Sequence, residues 1–124
     1  QKAASTARAF LCKQPEGEPD DEHAAIGFEL GRLYFAANHF EEASVFLRDV
    51  AVLDAQKHAD VEYAARFFLE SMKVLAQARP ECAGSFAALA TAVDTHVCKG
   101  PGAEGRAESC AAIAKLQEGA APPN

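Results

Sequence analysis

The chain has 124 residues, of which 49% are hydrophobic and 24% charged, with a formal net charge of -6 at pH 7. This composition is typical of a soluble globular protein, and no apolar run approaches the roughly 20 residues that span a bilayer, so membrane insertion is not expected. The negative charge and the scattered Lys and Arg residues disfavour a nucleic-acid-binding surface. We expect one domain over residues 1–118, followed by a linker or tail over 119–124, as a piece of a longer protein.

The first predicted helix covers residues 3–12, where Ala7, Phe10 and Leu11 lie on one side. An acidic connector with prolines at positions 15 and 19 follows it. Because proline does not continue a helix, we interpret the connector as a solvated segment. Its last acidic residues suit the first turn of the next helix.

The next two predicted helices form a hairpin. One runs from Asp21 to about Ala37, and its apolar residues recur at helical spacing, namely Ile26, Leu30, Leu33 and Tyr34. Asn38 and His39 provide the break. The return helix spans residues 40–53, where apolar residues again recur at the spacing of one helix face.

Three more helices are predicted in the second half of the chain. One begins near Asp60, a good N-cap residue, and ends before Pro80. Another covers residues 85–97, and a glycine-rich loop over 99–105 separates it from a last helix over 106–117. No segment alternates polar and apolar residues as a strand does, so we predict an all-α fold of about six helices in antiparallel pairs. The first three helices after the connector should form a continuous layer.

Residues 24–57 carry the spaced residues of a 34-residue helix-turn-helix repeat. Leu30, Gly31 and Tyr34 match the first-helix core, and the second helix matches through Phe40, Ala43, Leu47 and Val50. The segment resembles a tetratricopeptide repeat. One period later, residues 61–68 repeat the first-helix pattern more loosely. The resemblance implies stacked helical hairpins, with small residues at Gly31 and Ala43 where two helices cross.

The resemblance also implies a ligand groove lined by the first helix of each repeat. The positions carried over are Phe28, Arg32, Phe35, Glu62, Arg66 and Leu69. Arg32 and Arg66 are one period apart, which favours an acidic or mixed apolar and acidic peptide as the partner. The alternative is that both arginines are solvated and pair with glutamates at helical spacing.

Four cysteines are present: Cys12, Cys82, Cys98 and Cys110. Cys82 and Cys98 bracket one predicted helix and would lie about 24 Å apart, too far for a bond. This leaves Cys98 or Cys82 as partner of Cys110, and we predict Cys98 with Cys110, across a short loop. A disulfide implies a periplasmic or extracellular location. The alternatives are reduced thiols in a cytoplasmic protein and a zinc site of three cysteines with His96.

The sequence contains no catalytic motif, phosphate-binding loop or dinucleotide fingerprint, so we predict a non-enzymatic protein and name no cofactor, metal ligand or catalytic residue. The leading hypothesis is a protein-protein interaction module that binds a peptide or protein through a helical groove. The alternative is a structural cap or spacer domain within a larger extracytoplasmic protein. An enzyme or a metal protein is a third and weaker hypothesis.

Overall fold

The computed structural model describes residues 21–53, 61–100 and 103–119. Five main helices are described: α1 (Asp21–Ala36), α2 (Phe40–Arg48), α3 (Val61–Ala78), α4 (Phe86–Val93) and α5 (Ala107–Gly119). A π-helical turn extends α2 over Asp49–Leu53, and a second one extends α4 over Asp94–Cys98. A short helix (Pro80–Ala83) follows α3, and a 3-10 turn (Ala103–Arg106) precedes α5.

The predicted all-α class is confirmed for the described residues, which contain no strand. The predicted first helix over 3–12, the N-cap at Asp60 and the tail beyond 119 lie outside them. Two local predictions need correction. Pro80 ends α3 as expected but also begins a short helix, because proline is well tolerated in a first helical turn. The predicted loop over 99–105 is partly helical, since residues 103–106 form the 3-10 turn.

The α1–α2 hairpin has a tight turn at Asn38. This residue has φ = 64°, a left-handed conformation that asparagine adopts more readily than most side chains. The turn is closed by two backbone bonds, from the Asn38 amide to the Phe35 carbonyl at 3.0 Å and from the His39 amide to the Tyr34 carbonyl at 2.9 Å. The break that the sequence predicted therefore lies where α1 ends and α2 begins.

The α1–α2 contact depends on glycine. A Cβ atom added to Gly31 would lie 2.5 Å from Cγ of Leu47, so only glycine fits at this distance. Ala43 and Leu47 on α2 are fully buried, and the ring of Tyr34 stacks on Phe46 with centroids 5.7 Å apart. Gly31 therefore lies where two helices approach closely, as predicted.

Helix α3 lies at the centre of the described fold. It contacts α2 on one side and α4 and α5 on others, and its amino-terminal half also approaches α1. Eight of its residues are buried: Val61, Ala64, Ala65, Phe68, Leu69, Ser71, Met72 and Leu75. The predicted contacts of α1 with α2 and of α2 with α3 are both present. Helix α1 therefore lies at one edge of the described helices, and α3 lies inside them.

Candidate protein-interaction surface

Helix α1 is apolar on two opposite sides. Its inner side, with Gly31 against Leu47 and the buried Phe28, faces the rest of the fold. Its opposite side carries Ile26, Leu30 and Leu33, whose exposed fractions are 52%, 36% and 55%. We call these three residues the outer stripe. Their spacing of four and then three residues places them on one face of the helix.

The sequence pattern singled out the three stripe residues together with Tyr34 as the apolar face of this helix. The structure separates them, because Tyr34 is half-buried against Phe46 whereas the stripe faces solvent. Gly31 explains the difference. It lets α1 approach α2 closely on the other side of the helix, yet a glycine carries no apolar side chain that a periodicity analysis would count.

Two exposed charged side chains lie beside the outer stripe over residues 25–36. Glu29 and Arg32 are exposed on the same side of α1, and they neutralise each other in an ion pair with 2.8 Å between Nη2 and Oε2. Over residues 25–36, the other exposed side chains of this helix are alanines at positions 25 and 36. An apolar helix face of this kind is unusual on a chain with a net charge of -6.

The apolar members of the predicted groove are not exposed. Leu69 is fully buried and Phe28 is 7% exposed, so both belong to the core. Phe35 is half-buried in a cluster of rings, with centroids 4.7 Å from Phe67 and 5.8 Å from Phe40. Phe35 thus fills a contact between α1 and α3 and does not line an open groove.

The polar members of the predicted groove are paired or half-buried. Arg32 pairs with Glu29, which is the solvated ion pair that the sequence left open as the alternative. Glu62 accepts a hydrogen bond of 2.8 Å from the hydroxyl of Ser109 on α5, and Arg66 is half-buried. Of the six predicted groove residues, Arg32 is thus the one that is exposed in the structure.

The predicted pair of Cys98 and Cys110 is present, with Cα atoms 5.7 Å apart, and the alternative pair of Cys82 with Cys110 is wrong. Cys82 is fully buried and is itself disulfide-bonded. The alternative zinc set of three cysteines with His96 is therefore not formed. Cys12 lies outside the described residues.

Within residues 21–53, 61–100 and 103–119, no cluster of three or more His, Cys, Asp or Glu side chains is arranged to hold a metal ion. None of the helices in these ranges combines the length and the apolar character needed to cross a bilayer. Of the five large apolar side chains that are exposed among the described residues, three form the outer stripe of α1.

Comparison of the chain with protein-family models, with curated proteins and with solved structures found no match. The likeness to a tetratricopeptide repeat accordingly rests on the residues of the α1–α2 hairpin alone.

Proposed function

We propose that this chain is a protein-protein interaction module whose contact surface is the outer stripe of α1. The observation that supports the proposal is the exposure of Ile26, Leu30 and Leu33 on one face of a helix whose opposite face is already packed. A helix that is apolar on both sides is normally enclosed, and an exposed apolar patch commonly marks a binding surface.

The partner that fits this surface best is an amphipathic helix presented by another protein. The spacing of four and three residues is the one by which two helices align their apolar side chains. The exposed alanines beside the stripe would let the partner backbone approach closely. This surface replaces the groove inferred from the sequence, and it removes the reason for expecting an acidic peptide, since Arg32 already has a carboxylate partner.

A tetratricopeptide-like architecture remains part of this proposal. It is supported by the tight contact of Gly31 with Leu47 and by the order in which α1 packs on α2 and α2 on α3. In such a layer, the side of the first helix that faces away from the later helices is where another helix would stack. A partner bound there would extend the layer by one helix.

The test is affinity capture from the native source with matched variants. Leu30→Glu with Leu33→Glu places two charges in the outer stripe, whereas Val74→Glu places one on α3 at another exposed apolar residue, with 41% exposure. We expect the stripe variant to weaken partner binding by about 30-fold or more, as loss of central apolar contacts typically does, and the Val74 variant to bind normally. Equal binding by all three proteins would contradict the proposal.

A structural cap or spacer is the second candidate, and one observation favours it. The outer stripe lies on the edge helix, where a neighbouring domain of the same longer chain could cover it. Capture separates the two functions, because a spacer covered by its own chain would retain no separate partner. A complex with a different protein that the stripe variant weakens would support the interaction module.

We also propose a periplasmic or extracellular location, with the cytoplasm as the alternative. Its support is the close placement of Cys98 and Cys110, because disulfides persist in oxidising compartments. Alkylation of the protein in intact cells, followed by peptide mapping, tests it. Labelling of Cys98 and Cys110 without prior reduction would favour the cytoplasmic alternative.

A further inference from the structure

We propose that the disulfide between Cys98 and Cys110 is a reducible latch that holds α5 on the other helices, so that its reduction releases residues 103–119 while the helices before them stay folded. This inference is independent of the proposed function. It concerns the carboxyl-terminal helix and does not involve the outer stripe of α1.

The non-covalent attachment of α5 is slight. Of its described residues, Ile113 and Ser109 are buried, and Ile113 is its one contribution to the buried apolar core of the described chain. Cys110 and Leu116 are only half-buried. The helix is 13 residues long, a length at which isolated helices are marginal in water, so α5 needs its tertiary contacts to persist.

Two polar contacts add to the attachment. The buried Ser109 hydroxyl donates a hydrogen bond to the carboxylate of Glu62 on α3 at 2.8 Å. An Nη1 hydrogen of Arg106 is donated to the carbonyl of Val97 at 3.1 Å. Both contacts join groups that water can also solvate, so each contributes less than its strength in isolation.

The stabilisation that the disulfide supplies is of the same order as that from the burial of Ile113. Cys98 and Cys110 are 12 residues apart, and closing a ring of this size stabilises a fold by about as much as burying one or two large apolar side chains. Without the bond, α5 would keep one fully buried apolar side chain. Loss of the disulfide should therefore remove a large part of what holds α5 on the other helices.

Cys98 and Cys110 are less buried than Cys82. Cys98 and Cys110 are each half-buried, whereas Cys82, which is also disulfide-bonded, is fully buried. The Cys98–Cys110 bond should consequently be reduced before the bond of Cys82.

The exchange requires a dithiol reductant. One of its thiolates attacks Sγ of Cys98 or Cys110, the Sγ–Sγ bond breaks, and the displaced sulfur leaves as a thiolate that takes up a proton. The second thiol of the reductant then attacks the mixed disulfide and frees the other cysteine. Two electrons and two protons pass from the dithiol to the bridge, and the reductant becomes a disulfide.

The released state would retain most of the core. The remaining buried apolar residues of the described chain belong to α1, α2, α3, the short helix after α3, and α4 with the π turns. Release of α5 would expose the part of α3 around Glu62, together with the site that Ile113 had occupied. Reduction would thus expose a second apolar surface on the central helix.

Hydrogen exchange on the full chain tests the latch. In the double variant Cys98→Ser with Cys110→Ser, the bond of Cys82 is untouched, and we expect the amides of residues 107–119 to exchange about tenfold faster or more while those of residues 61–78 keep their protection. Unchanged protection of α5 would overturn the proposal. So would loss of protection over the whole described chain, because the release would then not be local.

A titration of the unmodified chain with dithiothreitol gives a second measurement that requires no variant. Thiol alkylation at each step should label Cys98 and Cys110 at lower reductant than Cys82, and the loss of α5 protection should coincide with the first labelling. Labelling of Cys82 first, or labelling of Cys98 and Cys110 with α5 still protected, would overturn the proposal.

Discussion

Helices α1 and α3 are both apolar on more than one side, but most large apolar side chains of α3 are buried by the chain's own helices, with Tyr63 and Val74 as the exposed exceptions. Phe68, Leu69 and Met72 of α3 are fully or almost fully buried between neighbouring helices, whereas Ile26 and Leu33 of α1 are more than half exposed. The comparison shows that apolar character on several sides of a helix indicates that something should cover it. It does not indicate whether the cover comes from the same chain or from another one.

The largest loss of stability is expected from a substitution in the buried part of α3. Phe68→Ala removes a side chain that is 1% exposed and should lower the free energy of unfolding by about 3–5 kcal/mol, through lost burial and the cavity that remains. Denaturant unfolding followed by circular dichroism measures it. A loss below about 1 kcal/mol would mean that α3 is not the centre of the core.

An intermediate effect is expected at the packed side of α1. Gly31→Leu should lower the free energy of unfolding by about 1–3 kcal/mol, because even its Cβ would lie 2.5 Å from Cγ of Leu47. The added change Leu47→Ala removes the side-chain atoms with which the new leucine would clash. The double variant should therefore lose less free energy of unfolding than the two single variants lose together. Strict additivity of the two changes would argue against this contact.

The smallest effect is expected on the outer side of the same helix. Leu33→Ala removes a side chain that is 55% exposed, and it should change the free energy of unfolding by no more than about 0.5 kcal/mol. The unfolding midpoint should therefore match that of the unmodified chain. A destabilisation of about 2 kcal/mol would show that the stripe is packed within the chain, and would contradict an exposed contact surface.

Much of the fold was predictable because helix boundaries follow local chemistry. The turn at Asn38, the end of α3 before Pro80 and the return helix from Phe40 all correspond to residues with clear local preferences. The short bridge from Cys98 to Cys110 was predictable for a similar reason. Residues joined by a short loop can approach each other easily, whereas cysteines at the two ends of one helix cannot.

The contact surface was not predictable from the same patterns. Periodicity finds the apolar residues of a helix, but it does not tell which of two apolar sides faces the core. In α1 this choice depends on Gly31, which fits closely against α2, so that Phe28 is buried and Leu33 is left outside. The burial of the apolar groove positions was not predictable either: Phe35 packs on Phe67 of α3, and Leu69 is fully buried.

Site-specific photo-crosslinking shows directly whether the outer stripe of α1 contacts a partner protein. A photoreactive residue is placed at Leu33 in the outer stripe, and in a matched control at the exposed Val74 of α3, and each protein is irradiated in an extract of its native source. We expect a covalent adduct with one defined partner protein from position 33, and none with that partner from position 74. Absence of an adduct at position 33, or the same adduct at both positions, would contradict it.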